Sequence, residues 1–196
     1  FLDSSLWSEG RGDYIAQTRC AECHVSGIQQ HRCDDCFTQA LFCTACTIKL
    51  HRDNPFHVIR TWSGFSFVRT DLRSLGLRIQ LGHRRGQVCP GTFARTAVEQ
   101  AVAEEESFCV VDSNCIHEIG LDFCTCGAET SRADQLLRAR LYPATTTRPR
   151  SAATFRVLRK FHKLSFESKC SAYEFYNCLA RETNNTGSFQ PRVSRP

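Results

Sequence analysis

Cys124 and Cys126 stand one threonine apart in the stretch LDFCTCGAE, residues 121–129. A disulfide between them would close a small, strained ring, because that bond needs its two Cα atoms about 5.5 Å apart with the right torsion. Two thiolates at this spacing can instead turn onto one metal ion, which then needs two more ligands from elsewhere in the chain. The densest supply of such ligands is residues 20–57, which read C-x2-C-x9-C-x2-C-x6-C-x2-C-x4-H-x5-H. The eight donors are Cys20, Cys23, Cys33, Cys36, Cys43, Cys46, His51 and His57. Zinc takes four thiolate or imidazole ligands in a tetrahedron, and a C-x2-C pair delivers two sulfurs from one tight turn. Eight donors in regular pairs therefore predict two closed structural sites. Spacing leaves open which pair joins which. His24 and His31 lie beside these donors and are expected to be exposed loop histidines.

Three residues compete to complete a site with Cys124 and Cys126: His83, Cys89 and His117. IHEIGLDFC, residues 116–124, reads as one strand, with His117, Ile119, Leu121 and Phe123 on its apolar face. At about 3.3 Å per residue, His117 would stand about 23 Å from Cys124, too far to share an ion unless the strand bends at Gly120. His83 and Cys89 follow the end of another expected strand, LRIQLGH at 77–83. Two neighbouring strand ends can present H-x5-C and C-x-C to one ion, so His83, Cys89, Cys124 and Cys126 are predicted to form a third structural site. Cys109 and Cys115 are read as ordinary small buried or half-buried residues, and Cys170 and Cys178, which lack ligand spacing, as packing residues.

These donors need elements to hold them. ALFCTACTIKLH, residues 40–51, predicts a short strand and a helical turn, with Leu41, Phe42 and Leu50 as local core. VIRTW and GFSFV, from 58 and 64, are rich in branched and aromatic residues and predict short strands. TDLRSLG, 70–76, predicts a helical turn stopped by Gly76. FCVVD, the turn SNC and IHEIGLDFC predict a hairpin over 108–124. Farther on, helices are expected over 131–143, ended by Pro143, over 151–165, and from Ser171 to a stop at Gly187. The last carries a Ser171-x-x-Glu174 capping box. Phe155, Leu158, Phe161 and Leu164 recur at helical spacing and are expected to pack against Tyr173, Tyr176 and Leu179.

Composition supports a folded chain: 41% of the 196 residues are hydrophobic. No apolar run approaches the ~18 residues of a membrane span, and no membrane partner is expected. Thirteen cysteines allow a secreted disulfide scaffold as a rival. Such scaffolds have no need of C-x-x-C pairs followed by paired histidines, and no signal peptide is visible, so a reducing intracellular compartment is expected. The chain begins at Phe1 and contains no Met, as a piece of a longer protein would. Net charge is +5, but Arg132 to Lys169 holds ten Lys or Arg against only Asp134 and Glu167. Arg138, Arg140, Arg148, Arg150, Arg156, Arg159, Lys160 and Lys163 are the nucleic-acid candidates, since cations on a helical surface neutralise phosphates and release counterions. The acidic run at 99–107 is read as a solvated loop.

The spacing of residues 20–57 resembles the B-box and ZZ families of zinc modules, whose two sites are cross-braced. That resemblance implies one ion on Cys20, Cys23, Cys43 and Cys46 and the other on Cys33, Cys36, His51 and His57. CDDCFTQALFCTACTIKLHRDNPFHVIRTWSG, LGLRIQLGH, IHEIGLDFCTC, QLLRARLYPAT, SAATFRVL and SKCSAYEFYNCLARETNNTG together resemble a wider family, the CxC2-like cysteine cluster associated with fungal KDZ transposases. The likeness runs from about residue 12 to 192, and Cys124 and Cys126 match the pair that names the family. Cys115 and Leu141 depart from its usual Gly and Trp.

This second resemblance implies a noncatalytic, DNA-binding N-terminal part of a DNA transposase, with nuclear localisation and possible self-association. A catalytic domain of RNase H type would lie beyond Pro196. Glu118 and Asp122 share a strand face, but no third carboxylate joins them, so no DNA cleavage is expected of this chain. The expected fold is α+β with about three structural zinc ions. A small zinc-stabilised B-box/ZZ-like module spans 14–62, a middle antiparallel β region with the third site 63–130, and a basic helical segment 131–188.

Overall fold

A computed structural model describes residues 1–27, 29–84, 87, 89–93, 107–126 and 130–185. The chain is mixed α+β and divides into two compact units, 1–77 and 78–196. The expected acidic loop, apart from Ser107, and the helix stop at Gly187 lie outside the described residues.

The first unit opens with helix α1 (Leu2–Glu9) and a short 3-10 turn (Gly12–Tyr14). Strands β1 (His31–Cys33), β2 (Ile59–Trp62) and β3 (Phe67–Thr70) form an antiparallel sheet in that order. Helix α2 (Thr44–His51) lies between β1 and β2 in sequence, and Phe42 bridges to His31. The β2–β3 pairing carries this unit across residue 62. Its core is small and made partly of the donors themselves. Cys33, Ile59, Leu72 and Leu77 form one cluster with Cys36 and Ile48 against it, and Cys20, Cys43 and Cys46 form another with Phe42.

Three expectations change here. Leu41 is buried, but Leu50 on α2 is exposed, because the helix turns its 46–47–51 face inward. The expected helix over 70–76 is absent: Thr70 ends β3 and residues 72–76 form turns. Gly76 at φ 102° reverses the chain so that the Leu77 N–H donates to the Leu72 carbonyl at 2.9 Å. His31 is fully buried, not a loop histidine: its Nδ1 meets Thr61 Oγ1 at 2.8 Å and its Nε2 meets Thr44 Oγ1 at 2.9 Å. Burial lowers its pKa, so the neutral ring serves as a hydrogen-bonded core residue. His24 is exposed, as expected.

The second unit contains a five-stranded sheet in the order β4 (Arg78–Gln80), β6 (Ile116–Asp122), β5 (Phe108–Val111), β8 (Ser151–Thr154), β7 (Leu141–Pro143). β5–β6 is the expected antiparallel hairpin and β7–β8 is antiparallel, whereas β4–β6 and β5–β8 run parallel. The β5–β8 pairing joins segments on either side of residue 130. Among the described residues it also holds helices α3 (Pro90–Phe93), α4 (Arg132–Arg138), α5 (Phe155–Glu167) and α6 (Ala172–Thr183). Its core gathers Cys109, Ile116, Val157 and Leu179, with Phe175 and Tyr176 packed against them.

The expected helix 131–143 stops at Arg138. Arg140 takes φ 62° and the chain enters β7, where Leu141 is buried opposite Thr154. The expected helix 151–165 begins four residues late, since Ser151–Thr154 pairs into the sheet before the Thr154 hydroxyl caps α5 by accepting the Val157 N–H at 3.1 Å. Burial in the sheet outweighs helix propensity at both places. The Ser171–Glu174 capping box on α6 is present. The α5–α6 contact is thinner than expected. Phe155, Leu164 and Tyr173 are exposed, and Phe161 meets Phe175 at a centroid distance of 5.4 Å. Cys178 is exposed rather than packed. Cys109 and Cys115 are buried, and Cys115 keeps negative φ, so a side chain is tolerated at this turn.

Asp122 is not a free strand residue: Arg78 donates to both its carboxylate oxygens at 2.8 Å. Deeper inside, the fully buried Asp112 accepts from Thr154 Oγ1 and from two nitrogens of Arg156. Burial alone would raise the Asp112 pKa, but the Arg156, Thr154 and Ser113 donors hold it below the usual carboxylate value.

Candidate metal centres

All thirteen cysteines are free thiols. Three groups of four donors have their ligand atoms within 4.8 Å of one another: Cys20, Cys23, Cys43 and Cys46; Cys33, Cys36, His51 and His57; His83, Cys89, Cys124 and Cys126. In the first unit the grouping is interleaved, first C-x2-C pair with third, second pair with the histidines. A zinc tetrahedron puts neighbouring sulfur and nitrogen ligands about 3.3–3.8 Å apart, and the observed separations lie close to that range. Cys23 and Cys43 sulfurs are 3.6 Å apart. Cys33 and Cys36 sulfurs are each 3.4 Å from His57 Nδ1, and Cys36 is 3.5 Å from His51 Nε2. In the third group His83 Nε2 is 3.1 Å from Cys124 and 3.3 Å from Cys126, while Cys89 and Cys124 sulfurs stand 3.8 Å apart.

Local structure presents these atoms. Cys43 is the N-cap of α2, which aims the sulfurs of Cys43 and Cys46 the same way, and the Cys46 N–H donates to the Cys43 sulfur at 3.4 Å. One turn on, His51 Nδ1 donates to the Thr47 carbonyl at 2.8 Å, which leaves the Nε2 lone pair facing its group. In the second unit β4 and β6 run parallel, so their C-terminal ends lie side by side. The chain after β4 supplies His83 and Cys89, and the chain after β6 supplies Cys124 and Cys126. β6 passes through Gly120 without a break, and His117 meets Cys115 Sγ at 3.1 Å and Asn114 Oδ1 at 3.0 Å. His117 therefore takes no part in the third group.

Sequence reasoning missed the side chains that hold this third group. Buried Gln135 on α4 accepts the Cys124 N–H at 2.8 Å, and its Nε2 donates to the carbonyls of Cys124 at 3.1 Å and Thr130 at 3.2 Å. Gln80 on β4 accepts the Cys89 N–H at 3.3 Å and donates to the carbonyls of Leu81 and Asp122. Two glutamine amides thus grip the backbone of both ligand loops, and no spacing rule marks either residue. Two glycines stand close beside donors. Gly82 sits at φ +75°, where a Cβ would lie 2.5 Å from Cys124 Cβ, and a Cβ on Gly91 would strike Thr125 Oγ1.

The thiols resist ionising together. Burial opposes ionisation of Cys20, but the backbone N–H groups of Cys23, Cys43 and Glu22 outweigh it and bring its pKa to about 6. Cys46 moves the other way, raised by burial and then by the sulfurs of Cys43, Cys23 and Cys20. Burial and Cys36 push Cys33 up to about 12. The Thr125 N–H leads in bringing Cys89 down to about 5, while the hydrogen bond with Cys124 leads in raising Cys126 to about 11. A divalent cation would remove this mutual opposition and hold every sulfur as thiolate. Donor chemistry, separations and the fixed His51 tautomer all fit such an ion.

Residues 72–187 match the family described as CxC2-like cysteine cluster associated with KDZ transposases. The chain belongs to this family. The match is narrower than the 12–192 likeness seen in the sequence, and it contains the third group while the first two precede it. No curated protein and no solved structure matches the chain. The CxC2 assignment makes this a cysteine-cluster domain associated with transposases. Among the described residues, no helix is long and apolar enough to cross a membrane.

The basic candidates lie in the second unit. Arg138, Arg140, Arg148, Arg150, Arg156, Arg159, Lys160 and Lys163 are all exposed, and all but Arg148 and Arg150 sit on or beside a helix. Arg156 is engaged by Asp112, and Lys160 donates to the Ser113 carbonyl at 3.2 Å.

Proposed function

We propose that this chain is the zinc-binding, noncatalytic, DNA-holding part of a KDZ-type transposase, working in the nucleus beside a catalytic domain elsewhere in the full-length protein. Family membership supports the transposase setting. Zinc is supported by the donor sets: four cysteines in the first, two cysteines with two histidines in the second, three cysteines with one histidine in the third. Each holds four protein donors, so a bound ion keeps no open position for a catalytic water. Elemental analysis of the purified chain is expected to find about three zinc ions.

DNA binding rests on one observation above all. The outward side of α5 exposes Arg159 and Lys163 one turn apart, while Arg156 and Lys160 are turned to Asp112 and Ser113. Cations held on a rigid helix and not consumed by structure suit a phosphate backbone. The test is fluorescence anisotropy of the zinc-loaded chain with a labelled duplex at about 50 and about 200 mM salt. Affinity is expected to fall steeply with salt, and replacing both Arg159 and Lys163 with Ala should flatten the salt slope by roughly two. Absence of binding at the lower salt would sink this reading.

A protein-interaction or self-association module is the second reading. It is favoured by Phe37 and Phe65 in the first unit, whose side chains stand almost wholly in solvent. Salt-insensitive self-association without DNA binding would select it.

A further inference from the structure

α5 carries a second kind of side chain on its outward face. Residues 155, 159, 162, 163 and 166 fall on one arc of the helix, opposite buried Val157. They are Phe155, Arg159, His162, Lys163 and Phe166, and all five are exposed. Phe166 is 80% exposed and Phe155 41% exposed. At the N-terminal end of the arc, Tyr142 on β7 is 53% exposed and stands edge-on to Phe155, with centroids 6.3 Å apart. The inner aromatic, Phe161, is used instead for packing against Phe175. Polar and cationic side chains thus lie between aromatic rings along about 16 Å of helix, the length of about five nucleotides.

We propose that this stripe is a stacking platform for single-stranded nucleic acid. The inference rests on the DNA-binding reading above and narrows its ligand. A paired duplex keeps its base faces stacked inside and would use only Arg159 and Lys163. A single strand offers both phosphates for the cations and unstacked base faces for Tyr142, Phe155 and Phe166. Stacking of this kind is tolerant of sequence, because every base has a π face. Charge complementarity decides the occupant: an apolar partner would leave Arg159, His162 and Lys163 desolvated between the rings, whereas a polyanion satisfies them.

The test compares a labelled single strand of about a dozen nucleotides with the duplex of the same sequence. It uses the full zinc-loaded chain at about 50 and about 200 mM salt. The single strand is expected to bind more tightly than the duplex. Phe155→Ala with Phe166→Ala should weaken single-strand binding roughly tenfold per ring and leave duplex binding within about twofold. Arg159→Ala with Lys163→Ala should weaken both. Thermal melting of the aromatic variant checks that its fold is intact, as its two exposed rings imply.

An aromatic variant that folds and binds single strands as well as the parent overturns the platform, and leaves the DNA-binding reading standing if duplex is still held. Binding of neither nucleic acid removes both. A concentration-dependent dimer of the parent that the aromatic variant abolishes, in sedimentation without nucleic acid, also overturns the platform and assigns the stripe to self-association.

Discussion

The two units use their donor groups differently. In the first, the donors are the core. Cys20, Cys43 and Cys46 form an apolar cluster with little beyond Phe42, and Cys33 and Cys36 sit among Ile59, Leu72 and Leu77. A three-stranded sheet and a two-turn helix bury too little to stand alone, so an ion bound there would supply folding free energy. In the second unit the main cluster of Cys109, Ile116, Val157 and Leu179 contains none of the twelve donors. Its group lies past the ends of two parallel strands, and two glutamines hold the loops. An ion bound in the first unit would substitute for a core, and one bound in the second would fasten the margin of a core that exists already.

Removing metal is the strongest way to break this contrast. A strong chelator is expected to unfold the first unit, where apparent binding is worth about 10–16 kcal/mol per structural zinc. Amide hydrogen exchange should show protection lost at β1 and β2 but retained in β5, β6 and β8. Simultaneous loss in both units would show that the second also depends on its ion.

A next effect lies wholly within the second unit. Arg156→Ala leaves the Asp112 carboxylate buried without its main donor, and should destabilise this unit by about 3 kcal/mol, the low end for such pairs because Arg156 is half exposed. The same pair sets an acid limit. The Asp112 pKa is lowered on folding, so its contribution is complete above the ordinary carboxylate value of about 3.9 and is lost as pH falls through the lower folded value. Denaturant melts between about pH 5 and about pH 2 would follow it. If Arg156→Ala melts like the parent, the ion pair is not part of what holds the second core.

Gln135→Ala is expected to lower metal affinity at the third group by about 10–100-fold while leaving the first two groups filled, as outer-shell partners do. Competition with a coloured chelator reads this directly, and unchanged affinity would mean that the loop is held by the ion alone. The smallest effect is at the exposed end of α5. Phe166→Ala should shift stability by no more than about 0.5 kcal/mol, which separates a surface ring from the packed Phe161.

Donor identity was legible because thiol and imidazole spacing is a local property. C-x2-C, H-x5-C and C-x-C each fit a turn or a strand end whatever the rest of the chain does. The capping box at Ser171 was legible for the same reason. His31 was not, because its environment comes from Thr61, thirty residues away. Nor were the ends of α4 and α5. LYP and SAAT look like parts of helices beside their neighbours, and they become strands only because β5 and β8 can pair. Arg156 was read as a free cation because its partner Asp112 lies forty-four residues earlier in the chain.

The sequence by itself determined how many donors there are, of what chemistry, and that a strand-end histidine and cysteine could meet the C-x-C pair. It did so because ligand atoms must lie within a few ångströms of one another and short spacings leave few ways to achieve that. Spacing alone left the pairing of the first eight donors open, and only the tertiary structure decided that parallel β4 and β6 bring their ends together and that Gln80 and Gln135 hold them there. Those outcomes depend on pairings across dozens of residues, where burial and backbone hydrogen bonding of whole strands outweigh any local preference.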